Sequence, residues 1–110
     1  MSSRIENMTE ECTVAAALEV LGGRWKLVIL RFLLADTRRF GELRKALPAI
    51  TPRMLTRQLR ELEADGLVLR TVYREVPPKV EYSVTEIGAS LRPITDQLDS
   101  WGHWYRQQTT

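Results

Sequence analysis

The stretch Thr51-Pro52-Arg53-Met54-Leu55-Thr56-Arg57-Gln58-Leu59-Arg60-Glu61-Leu62-Glu63-Ala64-Asp65-Gly66 decides the fold. Threonine caps a helix N-terminus, proline suits the first helical position because its missing N–H would find no partner there, and glycine suits the far cap. On a wheel of 100° per residue starting at Arg53, Leu55, Leu59 and Leu62 fall at about 200°, 240° and 180°. Arg57 and Arg60 fall at about 40° and 340° on the same wheel. The spacing predicts a helix anchored by an aliphatic side and presenting a ridge of three arginines on the other.

Upstream, Val14, Ala17, Leu18 and Leu21 predict a first helix from Thr13, stopped by Gly22-Gly23. Trp25 to Ala35 is predicted as a second helix, apolar around most of its circumference and therefore in the core. Phe40 to Leu47 predicts a short third helix, ended by Pro48. Downstream of Gly66 the period changes. Leu67 to Tyr73 is rich in β-branched and apolar residues, and Val80 to Val84 alternates, so two strands are expected around the tip Arg74-Glu75-Val76-Pro77-Pro78-Lys79. Thr85 can cap a following helix that Pro93 should kink or split.

The chain has 110 residues, 44% of them apolar and 27% charged, which suits one globular domain and excludes a disordered chain. Arg31 interrupts the longest apolar stretch, which is too short for a bilayer, and no secretory leader is read at the N-terminus. A single cysteine and a single histidine exclude an internal disulfide and a conventional zinc site. The expectation is a cytoplasmic protein without metal or cofactor. No phosphate-cradling glycine loop, nucleophile elbow or paired-acid constellation suggests an enzyme.

The net charge of +2 conceals an asymmetry: Arg24 to Arg60 holds ten basic residues against Asp36 and Glu42 alone. A basic middle in a nearly neutral chain suits a polyanionic partner, the plainer alternative being a solvated, solubilising face. Helix, helix, short helix, helix and hairpin in this order describe a mainly α protein with a small β-hairpin, a winged helix-turn-helix. Its fourth helix fits the major groove of B-DNA, where outward arginines can reach guanine edges or phosphates. The expected DNA-binding residues are therefore Thr51, Arg53, Met54, Thr56, Arg57 and Arg60 on that helix. Arg74 and Lys79 join them at the wing tip, and Arg24 and Lys26 at the second helix start as phosphate clamps. Arg70 reads as a solvated edge residue and is left outside this set.

Leu91, Ile94, Leu98, Trp101 and Tyr105 repeat at spacings of three and four. A stripe of this kind needs a partner. Packing on the first helix of the same chain is one option. A homodimer through the last helix and the first, with Leu18 on the opposing side, is the favoured one, because two reading heads suit a palindromic site. Residues 1–11 read as a flexible arm, 12–107 as one domain with its wing at about 67–84 and its dimerisation helix at about 85–107. His103, alone among Trp101, Trp104 and Arg106, reads as neither ligand nor acid–base group. Cys12 is a candidate redox sensor or, on the plain alternative, a small residue buried in the dimer seam. A helix N-terminus would favour its thiolate, while Glu10 and Glu11 oppose ionisation.

From Cys12 to about Gly102 the chain resembles the HxlR-type winged-helix regulators of bacteria and archaea. The resemblance lies in Gly22-Gly23-Arg24-Trp25-Lys26, Arg39-Phe40-Gly41-Glu42-Leu43 and Ile50 to Thr56. It continues through Gln58 to Leu67 and Glu75-Val76-Pro77-Pro78-Lys79-Val80-Glu81-Tyr82. It implies a dimeric DNA-binding repressor or activator without catalytic activity, repression being the favoured reading. Some members of the family use a cysteine in the position of Cys12 to sense oxidants or electrophiles; a small ligand between the helices, suggested by the helical stripe, is the other candidate signal. Where the family often has proline after that cysteine, this chain has Thr13. The alternative from a different class is a winged-helix module that meets an acidic protein rather than DNA.

Overall fold

Thr51 ends the turn before the arginine-bearing helix, and its side chain accepts a hydrogen bond from the Met54 N–H at 3.1 Å, capping that helix as expected. The structure, a computed structural model, describes residues 13–109; the expected arm at 1–11 and Cys12 lie outside the described residues. In chain order the helices are α1 (Thr13–Leu21), α2 (Lys26–Ala35), α3 (Phe40–Ala46), α4 (Pro52–Ala64), α5 (Glu86–Ala89) and α6 (Arg92–Thr109). The strands are β1 (Arg38–Arg39), β2 (Val68–Tyr73) and β3 (Lys79–Val84). The sheet is antiparallel with order β1-β3-β2.

The core gathers where α2, α3 and α4 meet the base of the hairpin. Ile29, Leu30 and Leu33 of α2, Leu43 of α3 and Leu55, Leu59 and Leu62 of α4 form one cluster with Leu47, Ile50, Leu67 and Val68. Each fully buried leucine contributes about 2 kcal/mol relative to exposure. Helix α3 is set at its two ends. Glu42 accepts the Arg39 N–H at the start of α3 (2.8 Å), and Pro48 follows the α3 cap at Leu47. Gly66 has φ +80°, the left-handed conformation that ends α4 and turns the chain into β2.

The expected break around Pro93 occurs. Proline sits in the first turn of α6, where its missing N–H costs nothing, and α5 is a separate short helix. The Thr85 hydroxyl donates to the Gly66 carbonyl at 2.6 Å and accepts the Gly88 N–H at 3.0 Å, joining the end of α4 to the start of α5. A Cβ at Gly88 would collide with the Leu67 carbonyl, so this crossing admits only glycine without a backbone shift. Two features depart from the sequence expectation. Arg38 and Arg39 add a third strand, paired with Tyr82 and Glu81. Leu91, expected on the dimer face, is 8% exposed and belongs to the chain's own core. It lies in the break between α5 and α6, so it does not continue the phase of the α6 stripe.

Candidate nucleic-acid interface

Leu55, Leu59 and Leu62 are 0%, 1% and 0% exposed, so α4 is held along one side while Arg53, Arg57 and Arg60 stand in solvent. Their surroundings differ. Arg53 and Arg60 have no hydrogen bond or ion pair among the described residues, whereas Arg57 Nε lies 3.3 Å from Glu61 Oε2. A shallow concavity on this face is lined by all three arginines with Thr56 and Glu61. The Thr51 oxygen is occupied by the cap, and the Thr56 hydroxyl donates to the Pro52 carbonyl at 3.0 Å. Met54 is half-buried against the core, and its sulfur accepts from Gln58 Nε2 at 3.3 Å.

Lys26 requires a correction. Expected as an exposed phosphate clamp, it is 4% exposed, and its Nζ lies 2.8 Å from Glu61 Oε1. The ammonium thus ties the start of α2 to the last turn of α4 and cannot meet a phosphate without leaving that site. The hydrogen bond from Lys26 holds the Glu61 carboxyl below its ordinary value of 4.5; partial burial opposes this, and the charges of Lys26 and Arg57 reinforce it. The acids that follow Arg60 offer it an ion pair as the plainer alternative to DNA contact, but Glu61 takes Arg57 instead. The four-residue helical spacing between Arg57 and Glu61 is the signal that identifies this pair.

Arg24 remains exposed, its guanidinium stacked 4.9 Å from the Trp25 ring centroid. At the wing tip Arg74 is exposed and unpaired among the described residues. Lys79 is partly held: its Nζ lies 3.6 Å from Glu81 Oε2 and 4.9 Å from the Tyr73 ring centroid. A hydrogen bond to Glu81 and that carboxylate's charge push the Tyr73 hydroxyl above its ordinary pKa. The structure therefore brings Arg53, Arg57 and Arg60 to one face, leaves Arg74 at the tip of the hairpin, and removes Lys26.

On α6, Ile94, Leu98, Trp101 and Tyr105 are 48–56% exposed, as is Leu18 on α1. Among the described residues the stripe is therefore left half open. Trp101 and Tyr105 stack at 4.9 Å with an interplanar angle of 12°. Arg31 of α2 reaches Asp96 and Asp99 of α6 at 3.7 and 3.4 Å, beside a groove lined by Leu27, Val28, Thr95 and Leu98. Thr95 is the buried residue of α6 that the hydrophobic stripe did not reveal; its hydroxyl donates to the Arg92 carbonyl at 3.1 Å. Among the described residues no helix is long and apolar enough to cross a membrane.

A short helix, a turn, a charged second helix and a hairpin beside it define a winged helix-turn-helix protein of the DNA-binding class. Residues 20–110 match the family described as HxlR-like helix-turn-helix, and the chain belongs to that family of transcriptional regulators. The uncharacterized HTH-type transcriptional regulator YybR of Bacillus subtilis (strain 168) is 54% identical over 93 residues, 84% of this chain and 74% of YybR. YdeP of the same strain, also an uncharacterized HTH-type transcriptional regulator, is 50% identical over 99 residues, covering 90% of this chain and 77% of YdeP. Among solved structures, the redox regulator HypR in its oxidized form has a TM-score of 0.81 and 53% identity, over 84% of this chain and 95% of that one.

Proposed function

We propose that this protein is a cytoplasmic transcriptional repressor that binds a palindromic operator as a homodimer. In this reading α4 enters the major groove with Arg53, Arg57 and Arg60, while Arg74 and Lys79 meet the adjacent groove or its backbone. Arg24 meets a phosphate. The observation that carries the reading is the two-sided character of α4, three leucines sealed in the core and three arginines in solvent. The half-open stripe of α6, with Leu18 of α1, supports a second copy as the cover, which would set two α4 helices about one turn of DNA apart or a small multiple of it.

Titration of duplex DNA over a range of salt tests this. Affinity is expected to fall steeply with salt. Arg53→Ala should cost about tenfold on the selected operator and relax its specificity. Salt-insensitive or absent duplex binding would favour the protein-binding alternative. Selection from a random DNA pool reports the operator and its symmetry.

Similarity to HypR supports an oxidant as the effector, with Cys12 as the sensing residue. With one cysteine per chain, a disulfide would form between subunits or with a small thiol. Peroxide should release the wild type from DNA and spare Cys12→Ser; equal release of both would remove Cys12 from this role.

A further inference from the structure

Many cations in the middle of this chain are engaged by the protein itself. Lys26 and Arg57 share Glu61, Arg31 faces Asp96 and Asp99, and Arg38 donates to the Phe32 carbonyl. Arg60 of α4 and Arg70 of β2 are exposed and have neither a hydrogen bond nor an ion pair among the described residues. Both line one cleft of about 400 Å³, together with Thr56, Leu59, Glu63 and Tyr82.

The placement follows from two periodicities. On α4, Thr56, Arg60 and Glu63 lie four and three residues apart and so share one flank. On β2, Arg70 shares a sheet face with Val68, which is buried in the core, and lies one step beyond it. Arg70 also stands directly opposite Tyr82 in the β2–β3 register. The cleft thus runs between the arginine-bearing helix and the wing. Two guanidiniums and one carboxylate line it, leaving one net positive charge, and Tyr82 adds a neutral wall.

We infer that this cleft holds a backbone phosphodiester of the duplex, with Arg60 and Arg70 as its paired donors. The inference rests on the DNA-binding reading and deepens it. A duplex engaged by α4 in one groove and by the wing in the next must carry its phosphate ridge between them, where the cleft lies. Guanidinium forks match phosphate oxygens in bidentate geometry, and two of them around one anion fix its position as well as its charge. Arg70 is therefore a positioning residue that reads no base.

The test is anisotropy titration of a mixed-sequence duplex against chloride concentration, for the wild type, Arg70→Gln, Arg70→Lys and Arg53→Ala. Circular dichroism melts establish that each variant is folded. Arg70→Gln should weaken binding roughly fivefold to tenfold whatever the sequence, and lower the slope of log affinity against log salt by about 1. Arg70→Lys should keep the slope and lose part of the affinity. Wild-type affinity and slope in Arg70→Gln, with Arg53→Ala weakened, would overturn the inference and leave the DNA-binding reading standing. Failure of the wild type to bind duplex at all would overturn both. A parallel titration in inorganic phosphate, matched to chloride in ionic strength, separates the two sources of the anion. A phosphate-specific loss of duplex affinity that vanishes in Arg70→Gln is competition for the same donors and supports the backbone assignment. Arg70-dependent phosphate binding that leaves duplex affinity unchanged would reassign the cleft to a free anion and overturn it.

Discussion

Helices α4 and α6 are both amphipathic, yet they resolve their apolar sides in opposite ways. The leucines of α4 are sealed by α2, α3 and the base of the wing, so its charged side is all that the solvent meets. Among the described residues the stripe of α6 is left half open, with Leu98, Trp101 and Tyr105 on display. A helix whose apolar side is fully used can only offer charge to a ligand; one whose apolar side is half used still has burial energy to gain from a second protein surface. In the proposed reading the charged side of α4 serves a polyanion and the open stripe of α6 a second copy, one task per helix.

The strongest way to break this contrast is to truncate each stripe. Leu59→Ala in α4 should cost about 3 kcal/mol of stability in urea titrations, because the cavity cannot collapse in a core this small. Leu98→Glu in α6 should instead leave the stability of the isolated subunit within about 0.5 kcal/mol while weakening self-association about a hundredfold by sedimentation, with Trp101 fluorescence as an independent probe. Comparable destabilisation of the isolated subunit by both changes would show that the stripe on α6 is core rather than interface.

A smaller effect sharpens the contrast at the charged side of α4. Lys26→Met should cost about 1 to 2 kcal/mol at neutral pH, since it removes the ammonium that Glu61 accepts. Because the folded-state pKa of Glu61 lies below its ordinary value of 4.5, its contribution is complete above that pH and is lost as pH falls through the depressed value. Urea titrations at pH 7 and on the acid side of 4.5 should therefore show the gap between wild type and variant closing with acid. A gap independent of pH would assign the cost to packing alone.

The sequence was most legible where local chemistry and tertiary packing agree. The proline and threonine that open α4, the glycine that ends it and its leucine period all act within a few residues of one another. β1 was illegible because two consecutive arginines carry no alternation; their strand conformation is imposed by Tyr82 and Glu81 from the far side of the sheet. Lys26 misled for the same reason at the level of charge. Its acid lies on another helix, so a count along the chain sees a free cation where the fold makes an ion pair. Leu91 continued the numerical spacing of the α6 stripe, but the break before Arg92 changes its direction. Arg70 is illegible as a site residue because its cleft exists only once α4 and the sheet are assembled.

The shared carboxylate of Glu61 has a consequence for any phosphate that approaches Arg57. This guanidinium side chain is 71% exposed, and the buried counter-ion of Glu61 is Lys26, not Arg57. Arg57 can therefore exchange its acid for a phosphate at the expense of one solvent-exposed pair, roughly 0.2 to 1 kcal/mol. Lys26 stays behind as a standing neutraliser, so such a swap would strand no charge inside the protein.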